Sequence, residues 1–263
     1  MMAEIPAAQP VTLDIDDGVA TLSLNRPELG NRYDAAMLSG MASHLSRVAS
    51  DTSVRALVLR GAGRHFCVGA DIDWHLAASV APQTGAVDFL DVLLALDALP
   101  KPVVAVVQGA CIGGGVAMTA CCDIVLAERS AVFAIPEVRL GFCPGALIPL
   151  FHRAIGARAF RRFGLTGERF SAETAQRLGL VADQFEGACD ALLEPILGAI
   201  RLGGPVAISR TKALNAAMAP LDTGRMRALE TEFTQTLRSP EAREGLAAFR
   251  EKRSPRWNQD TSE

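Results

Sequence analysis

The chain has 263 residues, of which 49% are hydrophobic and 21% charged, and a net charge of −3. That length fits one large domain or a core with an appendage, and the apolar content supports a substantial buried core. The even charge balance provides no basic stripe for nucleic acid and no acidic, disordered tail. No apolar run reaches the roughly 18 residues that a membrane helix needs, and Met1 to Pro10 lacks a basic segment followed by an apolar one. The expectation is a soluble cytoplasmic protein with neither nucleic acid nor membrane as partner.

Taken in order, Val11, Leu13 and Ile15 alternate with polar residues, Asp17-Gly18 makes a turn, and Val19 to Leu24 alternates again. This is a hairpin signature, ended by Asn25-Arg26-Pro27. Asp34 is placed to cap a helix whose apolar positions Met37, Leu38, Met41, Leu45 and Val48 follow the 3.6 period. A strand from Val54 to Leu59 precedes a loop from Gly61 to Asp71 and a polar, mobile stretch around Ser79 to Gly85. Val87 to Leu99 reads as a buried helix stopped by Pro100-Lys101-Pro102. Next come a β-branched strand, Val103 to Val107, the loop Gly109-Ala-Cys-Ile-Gly113-Gly114-Gly115, and an apolar segment of helical length with no spacer.

Asp123 to Ala127 and Ala131 to Phe133 are short strands, and Pro136-Glu137 to Pro144-Gly145 is a turn-rich loop. From Leu147 onward the pattern is helical: Ala157 to Gly164, Ser171 (a good cap) to Leu178, Ala188 to Leu202, Pro205 to Met218, Leu221 to Leu237, and Ala242 to Lys252. Gly203-Gly204-Pro205 marks a boundary between a mixed core, 1–203, and a helical region, 204–263. The fold class is α/β, with glycine loops collected at strand ends, where such folds bind ligands.

The six cysteines, Cys67, Cys111, Cys121, Cys122, Cys143 and Cys189, lie mostly in apolar runs and form no C-x-x-C, which suits buried thiols in a reducing compartment. The four histidines are scattered, so no metal site is expected. Gly61-x-Gly63 lacks the third glycine of a dinucleotide loop, Phe66 standing there, and Gly113 to Gly115 is not followed by Lys-Ser or Lys-Thr. No G-x-S-x-G elbow occurs. What the triple glycine does offer is a loop without side chains at the start of a helix, where free N–H groups can meet negative charge.

An ordered set of motifs narrows that chemistry. Leu24-Asn25-Arg26-Pro27, Arg64 to Ile72, Lys101 to Gly115, Cys122-Asp123-Ile124, Pro136-Glu137 to Gly141, Pro144-Gly145, and Phe249-x-x-Lys252-Arg253-x-Pro255 follow one another through nearly the whole chain. Together they resemble the enoyl-CoA hydratase/isomerase (crotonase) superfamily. The resemblance implies a spiral of ββα turns, a C-terminal helical region that builds homotrimers or hexamers, and an acyl-CoA substrate with no cofactor beyond the coenzyme A it carries. It implies that the backbone N–H groups of Ala70 and Gly114 hold the thioester oxygen. Arg64 falls near the CoA phosphates, and Lys252 resembles a tail lysine reaching CoA from a neighbouring subunit. Val68, Asp71, Ile72, Gly113, Ala117 and Gly145 fall around the substrate. Asp71 and Asp123 also suit loop or cap carboxylates, and Trp74 and His75 suit either the acyl pocket wall or helix packing.

Hydratases of this superfamily set two glutamates beside the double bond. The second matches Glu137; the first position, three residues beyond Gly114 on the same helix face, is Ala117, and no Asp or Glu lies between Lys101 and Asp123. Water addition benefits from two proton-handling groups, whereas one carboxylate suffices to move a proton between C4 and C2 of a thioester enolate. The expectation is a Δ3-Δ2-enoyl-CoA isomerase with Glu137 as sole acid/base, its carboxyl raised by the apolar residues Phe133 to Pro136. A one-glutamate hydratase, dehydratase or other lyase is the alternative enzyme, and a catalytically weak acyl-CoA-binding subunit the alternative outside catalysis.

Overall fold

The computed structural model of the chain describes residues 9–80, 87–218 and 220–258, with backbone only at 78–80. Among these, the strands are β1 (Val11–Asp16), β2 (Val19–Leu24), β3 (Ala56–Gly61), β4 (Val103–Val107), β5 (Ala110–Ile112), β6 (Ile124–Glu128), β7 (Val132–Ala134), β8 (Arg169–Ser171) and β9 (Asp183–Phe185). They form a six-stranded sheet in the order β1-β2-β3-β4-β6-β9 and a three-stranded sheet in the order β5-β7-β8.

The first hairpin pairs antiparallel with Leu13 opposite Leu22. Every later strand of the large sheet joins in parallel. Parallel strands need helical crossovers, which cover both faces. One face sends Leu57, Leu59, Val103 and Ala105 against α1 (Ala35–Ser50), while Val58, Val104, Val106 and Leu126 meet Leu193 and Leu197 from across the sheet. This explains why Val54 to Leu59 and Val103 to Val107 read as unbroken apolar runs. Asp34 caps α1 by accepting from the Met37 amide at 3.0 Å.

The remaining helices are α2 (Ile72–Val80), α3 (Phe89–Asp97), α4 (Gly114–Ala120), α5 (Ile148–Thr166), α6 (Ala172–Arg177), α7 (Asp190–Leu202), α8 (Pro205–Met218), α9 (Thr223–Leu237) and α10 (Pro240–Arg250). At several points the chain departs from the sequence expectation, and one expected stretch falls largely outside the described residues. The loop after Gly61 ends in α2, because Asp71 accepts from the amides of Asp73 and Trp74 and so starts a helix. The polar stretch expected around Ser79 to Gly85 lies from residue 81 on outside the described residues. Between β4 and the glycine triplet the chain forms β5, whose partner β7 is distant in sequence. The helix expected from Ala157 begins at Ile148 and is broken at Gly156, where φ is 76°.

β8 and β9, three residues each, exist only through pairing with β7 and β6. α9 packs on the 3₁₀ turn Gly145–Leu147, and α10 on the 3₁₀ turn Glu137–Leu140 and on α2. Phe142, Leu237, Ala242 and Leu246 form the apolar contact there. α8 has no buried residue; its Lys212 reaches back to Asp123 at 2.7 Å. Among the described residues no single helix is long and apolar enough to cross a membrane. All six cysteines are free.

Candidate active site

Three loops meet at one end of the large sheet. The first, Gly61 to Asp71, is fixed from below by Asn31, which is fully buried. Its side-chain nitrogen donates to the carbonyls of Ala62 (2.9 Å) and His65 (2.7 Å), and its oxygen accepts from the Arg26 amide. A buried amide with its partners in place specifies one loop geometry. The loop then joins β5: Cys67 donates to the Ala110 carbonyl, and Ile112 donates to the Cys67 carbonyl.

The second loop is the glycine triplet. Gly113 donates to the Ala134 carbonyl at 2.8 Å, tying the triplet to β7. The third loop leaves β7 through Ile135 and Pro136, so that Glu137 opens a 3₁₀ turn directly above Gly113. A β-carbon on Gly113 would lie 2.8 Å from Glu137 Oε1. Glycine is required there by that carboxylate as well as by its φ of 54°.

Tyr33, which carried no role in the sequence reading, joins these pieces. Its backbone forms a parallel bridge to Ala70, donating to the Gly69 carbonyl at 3.1 Å and accepting from the Asp71 amide at 2.9 Å. Both bonds use Ala70's neighbours and leave the Ala70 N–H itself uncommitted. The Tyr33 ring lies against Gly114, where any β-carbon would collide with its hydroxyl and ring edge. Gly114 is the first residue of α4, so its N–H has no partner within the helix. One buried side chain thus braces the two loops that carry the free N–H groups.

Glu137 is 7% exposed, and its Oε2 is buried without a hydrogen-bond partner. Burial pushes its carboxyl up to about 7, its own backbone N–H pulling slightly the other way. An unpartnered carboxylate in an apolar site is costly to hold charged, and it is suited to taking up a proton near neutral pH.

These groups open into a cavity of about 1590 Å³ whose walls include Ala70, Gly113, Gly114 and Glu137. Val68, Ile72 and exposed Arg64 also line it. Asp71 does not; its carboxylate caps α2 and pairs with Arg32 at 3.5 Å. Asp123 accepts from the Val103 amide and Lys212. Ala117 is fully buried one turn into α4, behind the wall rather than on it. Gly145 lies outside the wall and lets α9 approach, a β-carbon there falling 2.7 Å from the Leu229 carbonyl. Lys252 is exposed in the turn after α10, with a left-handed φ of 56°.

Sequence reading also passed over Glu230 of α9, on the far wall. Burial and the neighbouring Asp88 raise its carboxyl, against the opposing pull of Arg227. Its only sequence signal is a carboxylate beside the apolar stripe of α9. Among the described residues no cluster of three His, Cys, Asp or Glu side chains could hold a metal.

The site has the parts for acyl transfer or enolate chemistry: two unengaged backbone donors, one poised carboxyl and a large cavity. The family model for enoyl-CoA hydratase/isomerase matches residues 14–260. The 2,3-dehydroadipyl-CoA hydratase of Escherichia coli (strain K12) is 34% identical over 256 residues, covering 90% of this chain and 94% of that protein. The 1,2-epoxyphenylacetyl-CoA isomerase of the same organism is 32% identical, covering 92% and 96%. A crystal structure of an enoyl-CoA hydratase from Mycobacterium avium superposes with a TM-score of 0.83 at 32% identity, covering 94% and 98%. The chain is therefore an enzyme of the enoyl-CoA hydratase/isomerase family, the crotonase superfamily, and has its fold.

Proposed function

We propose that the protein isomerises a 3-enoyl-CoA thioester to the 2-enoyl form, with Glu137 as its single acid/base. The observation that carries this is the buried, unpartnered carboxyl of Glu137 beside Gly113, together with the methyl group of Ala117 where a second acid would stand. Relatives of similar identity are named hydratase in one case and isomerase in another, so likeness alone does not choose between the reactions.

In this reading the thioester oxygen accepts hydrogen bonds from the Ala70 and Gly114 N–H groups. The Glu137 carboxylate takes a proton from C2, the electron pair moves into the thioester, and a dienolate forms whose charge those two donors stabilise. The carboxylic acid then returns the proton at C4 while the double bond settles between C2 and C3. No water is consumed. Of the other lining carboxylates, Asp88 and Glu230 are held by Arg227, at 3.0 and 3.3 Å, while Glu28 and Glu128 also stand on the wall. The deciding assay offers purified protein 3-enoyl-CoA and 2-enoyl-CoA. Isomerisation without hydration supports the reading, hydration at a comparable rate overturns it, and binding with no turnover points to an acyl-CoA-binding subunit.

Arg64 stands exposed at the cavity rim, where a CoA phosphate would pass. Arg64→Ala is expected to raise KM about three- to fivefold at low salt with kcat unchanged, the difference shrinking as salt screens the pair. Tyr33→Leu is expected to lower kcat about tenfold with a much smaller change in KM, because loosening the brace misaligns the donors at the oxyanion. A kcat at the wild-type level in the folded variant would refute the bracing role.

Assembly into homotrimers or hexamers fits the apolar surface that Leu202, Val206, Leu214 and Met218 expose at 66–91% along the end of α7 and α8. Sedimentation of the purified chain gives the subunit number, and a monomer at micromolar concentration would refute the assembly.

A further inference from the structure

The chain is poor in aromatic residues, at 5%, yet its only tyrosine, one of its two tryptophans and four of its eleven phenylalanines, Phe249 among them, line the same cavity. Tyr33, Trp74, Phe89, Phe142 and Phe233 come from five separate stretches, and His75 stands among them. They form a connected wall. The Tyr33 ring stacks on Phe89 at 4.3 Å and meets Trp74 edge-on at 6.0 Å. Trp74 leads to His75 at 5.4 Å, and His75 lies 5.8 Å from Phe142 and 5.9 Å from Phe233. Phe142 and Phe233 close the series edge-on at 5.7 Å.

This wall begins at the reacting centre, because Tyr33 is the residue pressed against Gly114. It runs away from there to α9. Trp74, His75, Phe89 and Phe233 are only half-buried, so they keep surface for an occupant instead of spending all of it on the core. Burial holds the His75 imidazole down at about 4, so it is a neutral ring at pH 7 and does not demand a charged partner. Tilted and edge-on pairs present both ring edges and ring faces to the cavity, and these are the two surfaces a further ring can meet favourably.

We propose that the acyl chamber selects a thioester whose acyl group carries an aromatic or other planar ring beyond the reacting carbons. The proposal rests on the reading that places the thioester oxygen between Ala70 and Gly114. A straight alkyl chain of equal carbon number would bury comparable apolar area. It would gain no ring contacts, and it would lose more internal rotation on binding.

The test uses saturated thioesters, which cannot isomerise, so that selection is read apart from chemistry. Calorimetric Kd values are compared for 4-phenylbutanoyl-CoA and decanoyl-CoA, which have equal numbers of acyl carbons. The aryl thioester is expected to bind about tenfold tighter. Phe233→Leu and Phe89→Leu, both at half-buried positions, are each expected to reduce that ratio to about two- to threefold; a merely structural role would weaken both ligands alike and leave the ratio unmoved. Equal or tighter binding of decanoyl-CoA overturns the proposal while leaving the role of Glu137 intact. Aryl preference in a protein that fails to isomerise any 3-enoyl-CoA upholds the chamber and sinks the isomerase reading. Failure of both thioesters to bind would overturn the two together.

Discussion

Glu137→Gln is expected to lower the isomerisation kcat by about 10²–10⁴, the range that a positioned general base contributes. The amide keeps the shape of the carboxyl and cannot take the C2 proton. A kcat within threefold of wild type would show that another group carries the proton. Because burial raises the Glu137 carboxyl to about 7, wild-type kcat/KM should climb as pH rises through about 7 and the base ionises. The same shift acts on stability with the opposite sense. The folded-state value lies above the ordinary 4.5, so the stability contributed by the protonated carboxyl is complete below about pH 4.5 and is lost as pH rises through about 7. At 1.36 kcal/mol per pH unit, the loss amounts to about 3 kcal/mol. Glu137→Gln should therefore be more stable than wild type by urea unfolding at pH 8 and nearly equal to it at pH 4.5. Glu230 is raised as well, and since both proteins carry it, its contribution cancels in the comparison. Equal stability differences at the two pH values would mean that Glu137 is not desolvated.

Ala117→Glu is expected to create hydration of 2-enoyl-CoA at least tenfold above wild type, and to lower folding stability by about 2–4 kcal/mol through the burial of a new carboxyl. Ala117 is fully buried one turn beyond Gly114. Helical side chains lean toward the helix N-terminus, so a glutamate there extends back over Gly113 and Gly114, beside Glu137 and the Tyr33 ring. Two carboxyls at such a distance do not ionise together, and one stays protonated while the other acts as base. Water addition needs both forms at once. A folded variant that gains no hydration would show that position 117 does not face the double bond, and the single-carboxylate account would lose its main support.

Much of this molecule was legible along the chain. The hairpin, the Asp34-capped helix and the buried parallel strands followed from alternation, capping residues and unbroken apolar runs, all of which are local signals. The glycine triplet and the Pro136-Glu137 turn could be singled out because their composition has few other uses. What escaped was built by contact between distant segments. β5, β8 and β9 are each three residues long, below the length at which periodicity has meaning, and they exist through pairing with strands many residues away. α2 was hidden because its start depends on Asp71 turning its carboxylate back to two amides, one of several uses such a residue has.

By itself the sequence determined the family, the two glycine-rich loops, a carboxylate at Glu137 and the absence of an acid at 117. These are matters of which atoms are present. The tertiary structure alone decided that Tyr33 would brace both loops, that Glu137 would be left buried with an unpartnered oxygen, and that five scattered aromatic side chains and His75 would form one wall. Each of these depends on how far apart groups lie and how much water reaches them. A chain position specifies neither until the sheets, the glycine loops and the returning C-terminal helices close around the same cavity.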